Sequence, residues 1–407
     1  LTRSRMKTVV LASFVIIMAS ALVTFPKESL EASKIGLTMW WEVVFPSLLP
    51  FFIVAEMLIG FGVVKFIGVL LEPLMRPLFR VPGVGGFAWA MGMASGFPAG
   101  AKITARLRQE EQITAIEAER LVSFTNASNP LFIFGAIAVG FFGNPNLGII
   151  LALSHYLGSF FVGIVMRFHG PNEQKGKEKQ KLKPSLVEAL RVLHRTRLND
   201  KRPLGKLLGD AVISSIQTLL MIGGFIILFS VFNRLLSLVN ITELIGYFTS
   251  FCLQLFKLSP DLSIPLISGL FEITLGSKLA SELVDVELLQ QLIITSFILG
   301  FSGFSIHAQV ASIIADTDIR YKPFFFARIL QGFISAILAL VLWKPVYLNN
   351  LAYGEVIPVA LVEQPSVWAN SIWALLSTYG PLITLASLTL YIFVYASRLF
   401  ALNTHKR

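Results

Sequence analysis

Charge is scarce in this sequence. Only 14% of its 407 residues are Asp, Glu, Lys or Arg, against roughly 25% in a soluble globular domain. So few charges cannot clothe a water-facing surface on a chain of this length. Cysteine is nearly absent as well. Cys252 stands alone, which excludes a disulfide framework and a cysteine-based metal cluster. The five histidines, His155, His169, His194, His307 and His405, follow no H-E-x-x-H or related spacing. Zinc and haem chemistry therefore have little support, and no cofactor is expected. No nucleotide motif appears and no nucleophile–base pair recurs, so the chain reads neither as an enzyme nor as an ATP-driven pump in its own right.

What the chain does have is hydrophobic length. Hydrophobic residues make up 55% of it and its mean hydropathy is +0.72. They gather in runs near the ~20 residues that span a bilayer as helix: 8–25, 45–64, 211–232, 324–343 and 372–396. None of these runs alternates with the period of two of a membrane barrel. The fold class is therefore an all-α polytopic membrane protein. Its basic start, with Arg3, Arg5 and Lys7 before an apolar run, resembles a signal peptide. No small-residue cleavage site follows Phe25, so a retained first helix is expected. Leu1 points to a non-ATG start or to a start at Met6.

The net charge of +10 is read through its distribution. Basic residues mark cytoplasmic loops in a membrane protein, so no nucleic acid partner is expected. The N-terminus is placed inside, with spans near 8–25, 38–61, 121–142, 146–166, 211–233, 290–313, 324–343 and 372–397. The loop 167–210 holds twelve Lys/Arg and five Asp/Glu. It lies inside with an interfacial helix near 185–197, and so does the tail His405-Lys406-Arg407. Of 34 Lys/Arg, all but Lys27, Lys34, Arg234, Lys257, Lys278 and Lys344 then fall on the cytoplasmic side.

Two apolar stretches fit neither spans nor loops. Residues 81–108 are broken by Gly96, Pro98 and Gly100 and flanked by basic residues. Residues 262–284 are broken near Gly276 and flanked by Asp261, Glu282, Asp285 and Glu287. Matching charge at both ends of each predicts a re-entrant hairpin, with tips near residues 97–100 and 275–278, entering from opposite faces. Each hairpin follows an amphipathic stretch (62–80; 241–257) and precedes a span with polar interruptions, 123–130 or 296–307. Ser123-Phe124 and Ser296-Phe297 stand 173 residues apart, and Lys102 and Lys278 176 apart. About eight helices plus two hairpins in two inverted repeats are therefore expected. The parts are 1–37 (first helix and interfacial segment), 38–168 (first repeat), 169–205 (basic linker), 206–343 (inverted second repeat) and 344–407 (external loop, last helix and basic tail).

Irregular backbone at membrane depth persists only where it is buried in protein or lines a cavity. Broken helices in corresponding positions of two inverted halves are where carriers of this design bind solute. Helix N-termini there suit an anion. The candidate binding residues are Ser95, Gly96, Gly100, Thr125, Asn126, Ser128 and Asn129 from the first half, and Thr274, Gly276, Ser277, Ser302 and Ser305 from the second. The glycines would let a ligand approach the backbone, and the polar side chains would supply hydrogen bonds. Glu272 is a candidate for ion coupling or for pairing Lys278. Lys102 and Lys278 would neutralise an anion or snorkel to the surface. His307 reads as a packed polar residue.

The stretches Trp40–Phe52, Glu72–Arg80, Ser95–Lys102 and Ser123–Pro130 carry a family resemblance. They are similar to the YlbJ-type sporulation integral membrane proteins of endospore-forming bacteria, over roughly residues 6–400. The resemblance implies a nucleoside-recognition gate domain with a hairpin layout similar to concentrative nucleoside transporters. It further implies residence in the outer forespore membrane and a part in moving dipicolinic acid from the mother cell toward the spore. Gly96-Phe97-Pro98-Ala99-Gly100 at the first tip departs from the acidic-amide cluster of nucleoside carriers. The alternatives that stay open are a permease for nucleoside-like solutes and a non-transporting component of a larger sporulation complex. The expected partners are a small anionic solute and the lipid bilayer, with a homo-oligomer left open.

Overall fold

The computed structural model describes residues 3–170, 186–200 and 202–348. Every regular element among these residues is helical. The expected last span near 372–397 lies outside the described residues. Among the described residues, four helical stretches are long and apolar enough to cross a membrane: Leu147–Met166, Leu204–Leu238, Leu288–Ile314 and Tyr321–Leu348. Bent pairs raise the number to six.

The chain opens with α1 (Arg3–Thr24) and α2 (Pro26–Met39). A π-helical turn over Trp40–Val44 leads into α3 (Phe45–Gly60). The second span was expected to begin near residue 38, but α2 runs into it without a loop, so the helical run starts twelve residues earlier, at Pro26. Pro46 and Pro50 lack the N–H that a regular helix needs, and the wide turn just ahead of them is anchored by Trp40 Nε1 donating to the Leu219 carbonyl (2.9 Å). The expected amphipathic stretches are helices too. α4 (Val63–Phe79) bends 81° from α3 after a left-handed Gly62.

The first broken stretch is two short helices, α5 (Val84–Ser95) and α6 (Ala99–Gln109). α7 (Ala115–Thr125) follows, then a π helix over Leu131–Phe141 and α8 (Leu147–Met166). The helix expected in the basic loop is α9 (Leu186–Asn199), packed on α4 with Arg197 over the ring of Phe61. The second half runs α10 (Leu204–Leu238), α11 (Ile241–Leu255), α12 (Ser263–Phe271), α13 (Ile273–Ser281), α14 (Leu288–Phe301), α15 (Gly303–Ile314) and α16 (Tyr321–Leu342). One face of α11 is apolar and open, with Leu244, Tyr247, Phe248, Phe251 and Leu255 all exposed.

Both broken stretches fold back on themselves. Gly92 of α5 lies against Gly100 of α6, and Gly269 of α12 against Gly276 of α13. At 1.5 Å per residue, arms of nine to twelve residues reach only about 14–18 Å. That is roughly half the ~30 Å hydrocarbon layer. The first bend falls at Gly96–Pro98, where Gly96 has φ +85° and Pro98 withholds a donor. The second falls at Glu272, an extended residue between two helices. The expected second tip at 275–278 is therefore corrected to Glu272.

The interrupted spans are broken where expected. No helix covers Asn126–Asn129, and Ser302 and Gly303 take left-handed φ of +70° and +63°. Packing between the halves is reciprocal. Hairpin arm α6 lies on α15, and hairpin arm α13 lies on the π helix after the first break. Likewise α7 packs on α16, and α14 on α8. The main hydrophobic core, with Phe79, Phe87, Phe124, Leu151, Leu292, Ile298 and Phe324 fully or almost fully buried, runs through both halves.

Candidate functional site

The first junction is made by main chain. α7 ends at Thr125, whose carbonyl oxygen sits in a notch between the two arms of the first hairpin. A Cβ added at Gly92 would lie 1.9 Å from that oxygen, and one at Gly100 2.1 Å. The space beside Gly100 is thus filled by backbone, and so is that beside Gly276, where a Cβ would lie 2.2 Å from the Gly269 Cα. These glycines permit hairpin closure, which replaces the expected role of letting a ligand approach. Asn129 Nδ2 donates to the Ser95 carbonyl (3.2 Å), and its Oδ1 accepts from Phe132 N (2.7 Å), capping the helix beyond. Ser128 N donates to His155 Nε2 (2.9 Å), and the Tyr156 hydroxyl donates to the Ser128 carbonyl (2.9 Å). Thr125 Oγ1 lies 3.5 Å from Thr104 Oγ1. Ser95, Gly96, Gly100, Thr125 and Asn129 therefore come together as one cluster.

The second junction has the same parts. A Cβ at Gly303 would sit 3.1 Å from the Gly269 carbonyl and 3.3 Å from that of Phe271, so the second tip meets the second break. Glu272 caps α13, accepting from Leu275 N (2.8 Å) and Thr274 Oγ1 (3.1 Å). A carboxylate at a helix N-terminus is stabilised by the orphan N–H groups there. His307 bonds Tyr321 Oη (2.7 Å) and the Phe301 carbonyl (3.0 Å), a packed polar residue.

One residue joins the two junctions, and it was not among the candidates. Arg328 of α16 is fully buried. Its Nε donates to Ser302 Oγ (3.1 Å) at the second break. Nη1 donates to the Asn126 carbonyl (2.9 Å) at the first break and to Gln331 Oε1 (2.5 Å). Its guanidinium lies 5.8 Å from the ring centroid of Phe97 at the first hairpin tip. Gln331 Nε2 donates in turn to the His155 carbonyl (3.2 Å). The charge count had assigned Arg328 to the cytoplasmic side, and its burial removes it from that tally. A signal was present, since Arg328 and Gln331 stand one turn apart on one face of an otherwise apolar helix.

The expected charge roles need correction. Lys278 does not pair with Glu272. Its side chain is 57% exposed and its carboxylate neighbour is Glu282 (3.9 Å). Lys102 is engaged by Glu56 (3.1 Å) and Ser214 Oγ (3.1 Å), and Arg106 shares the same Glu56. Neither lysine reaches the junctions. At the start of α7, buried Glu119 accepts from Arg320 (2.6 and 2.8 Å) and meets His169 Nε2 (2.7 Å), while Arg108 forks onto Asp318 (2.7 Å). Burial pushes the Glu119 carboxyl up, but the hydrogen bonds from Arg320 and His169 outweigh it and hold the group below the usual carboxylate range.

Several buried polar atoms at the junctions have no hydrogen-bond partner. They are both side-chain atoms of Asn126, the hydroxyls of Ser95, Ser277 and Ser305, and Nδ1 of His155. Buried polar groups are normally paired, and these atoms stand unpaired near the two helix breaks. No group of three or more His, Cys, Asp or Glu that could hold a metal occurs among the described residues.

The family model described as nucleoside recognition, Gate, matches residues 41–145 and 219–317. The two matched segments bracket the two hairpins and their broken helices. The chain is also 59% identical to the sporulation integral membrane protein YlbJ of Bacillus subtilis (strain 168), over 97% of its own length and 98% of the relative's. No solved structure matches it. With both hairpins and both breaks inside the matched segments and near full-length identity to this relative, the chain belongs to the YlbJ family of sporulation integral membrane proteins that carry the nucleoside-recognition gate domain.

Proposed function

We propose that this protein carries a small anionic solute across a membrane during sporulation, and that the solute is dipicolinic acid crossing the outer forespore membrane from the mother cell. Its two gate segments are two inverted repeats, 38–168 and 206–343, and the solute binds where their hairpin tips meet their broken helices. The observation that carries this reading is the convergence of two helix breaks on one buried cation, Arg328, beside unpartnered hydrogen-bonding groups. The reciprocal packing of α6 on α15 and α13 on the π helix suits a two-fold relation between the halves. A scaffold gains nothing from broken helices with polar ends, which favours transport over a purely structural part in a complex. The N-terminus, loop 167–210 and C-terminus are cytoplasmic in this arrangement.

The test is uptake of dipicolinate into vesicles containing only this protein. Uptake above empty vesicles is expected. No uptake, together with normal dipicolinate filling of spores that lack the protein, would sink the assignment. The gate domain's description favours one rival solute class, so uridine and adenosine belong in the same assay. Uptake of either in place of dipicolinate would reassign the protein to nucleosides.

A further inference from the structure

The most unusual group in the molecule is a guanidinium with no carboxylate. Every hydrogen-bond acceptor of Arg328 is neutral: the carbonyls of Asn126 and Leu299, the Ser302 hydroxyl and the Gln331 amide oxygen. No ion pair among the described residues includes it, whereas the part-buried Lys102 and Arg106 share Glu56. An unpaired charge in a low-dielectric interior is costly, and an ionisable side chain at membrane depth normally has a partner or a task. Arg328 has too few partners in a further sense. A guanidinium offers five N–H groups. Nε and Nη1 make three bonds of 3.1 Å or less, but Nη2 has one contact, at 3.5 Å, to the Leu299 carbonyl. The same guanidinium lies 5.8 Å from the ring centroid of Phe97 and holds the main-chain carbonyl of Asn126, whose own carboxamide is unpartnered.

We propose that Arg328 is the specificity-determining charge of the site, and that its Nη2 edge receives a carboxylate of the solute with the Asn126 amide alongside. This rests on reading the junctions as a solute site, and it adds the residue that makes that site choose anions. A carboxylate at Nη2 takes hydrogen bonds that the Leu299 carbonyl makes only weakly and cancels the one charge that the surrounding dipoles leave uncompensated. An aromatic acid would bring its ring toward Phe97. A neutral solute of the same shape makes no such gain, so the discrimination is electrostatic.

The test uses the full chain in detergent, with thermal stabilisation and calorimetry against three pyridine probes: the 2,6-dicarboxylate and the like-shaped pair picolinate and neutral picolinamide. Wild-type protein is expected to bind in that order of preference. Arg328→Gln should weaken the dicarboxylate by roughly tenfold to a hundredfold, the worth of one charge-assisted contact, and leave the picolinamide response where it was. Arg328→Lys keeps the charge but loses the planar fork, and should fall between. Asn126→Asp decides the matter if Arg328→Gln does not fold. It places a built-in carboxylate beside the guanidinium while keeping the main-chain bond from Asn126, and should abolish the dicarboxylate response without lowering the melting point. Equal binding of picolinamide and dicarboxylate by the wild type overturns the proposal, as do wild-type-like affinities in folded Arg328→Gln or Asn126→Asp. Dicarboxylate binding without vesicle uptake would count against transport and leave the assignment of Arg328 standing.

Discussion

The guanidinium of Arg328 donates to the main-chain carbonyl of Asn126 at 2.9 Å, across 202 residues of sequence. That bond ties the break in the first half to α16 of the second. Gln331, one turn further along α16, extends the tie to the His155 carbonyl, and His155 holds Ser128 N. A line of hydrogen bonds to neutral acceptors thus runs from Ser302 to Ser128 through one cation.

Gln331→Leu should interrupt that line. It leaves an Arg328 N–H without its acceptor in a buried setting and removes the side-chain donor to the His155 carbonyl. The expected loss is about 1–3 kcal/mol, read as a lower thermal midpoint in detergent. An unchanged midpoint would show that the line is not under load.

Two glycines separate packing from helix propensity. Gly100→Ala puts a methyl 2.1 Å from the Thr125 oxygen, whereas nothing lies within 4 Å of a Cβ at Gly224. Gly100→Ala should therefore accumulate poorly. Gly224→Ala, in the middle of α10, should be neutral or more stable by up to about 1 kcal/mol. Membrane yield and melting of the two variants check this, and equal behaviour would remove the notch as a constraint.

The ion cluster at the start of α7 gives a pH dependence with a definite sign. Glu119 is held below the ordinary carboxylate range by Arg320 and His169. Its contribution to stability is fully present above the unfolded value of about 4.3, and is lost as pH falls through the lower folded value. Wild-type stability should therefore fall below about pH 4, whereas Glu119→Gln lacks that stability at neutral pH and has less to lose. Parallel unfolding curves at pH 3 to 7 would contradict this.

Orientation can be read with single cysteines, since Cys252 is the one native thiol. After Cys252→Ser, a cysteine at Lys179 or Lys406 should resist an impermeant reagent applied to intact cells. One at Lys278, whose side chain is exposed, should label. The opposite pattern would invert the topology.

Much of the frame was legible because membrane depth is unforgiving. Gly96, Pro98, Pro130, Ser302 and Gly303 interrupt apolar runs, and lipid leaves few ways to accommodate interruptions. The pairing of hairpin tip with broken helix followed from that. The second tip was misplaced by three residues because Gly276 looked like a bend, when it is the smooth face on which Gly269 packs. Lys102 and Lys278 occupy matching positions yet meet Glu56 and Glu282 respectively, which spacing cannot foretell. Arg328 was hidden by a charge count that treats every arginine near a helix end as a topological marker. The start of α16 at Tyr321 places it two turns inside.

The Thr125 carbonyl seated between Gly92 and Gly100 has a mechanical consequence. Backbone is wedged against backbone on both sides, with no flexible side chain to give way. The first hairpin and α7 therefore cannot slide past each other. On the transport reading proposed above, the two would move as one body, and a motion exposing the junctions to alternate sides would hinge at a softer seam. The seam in reach is the set of hydrogen bonds radiating from Arg328, which can be exchanged one at a time where a wedged carbonyl cannot.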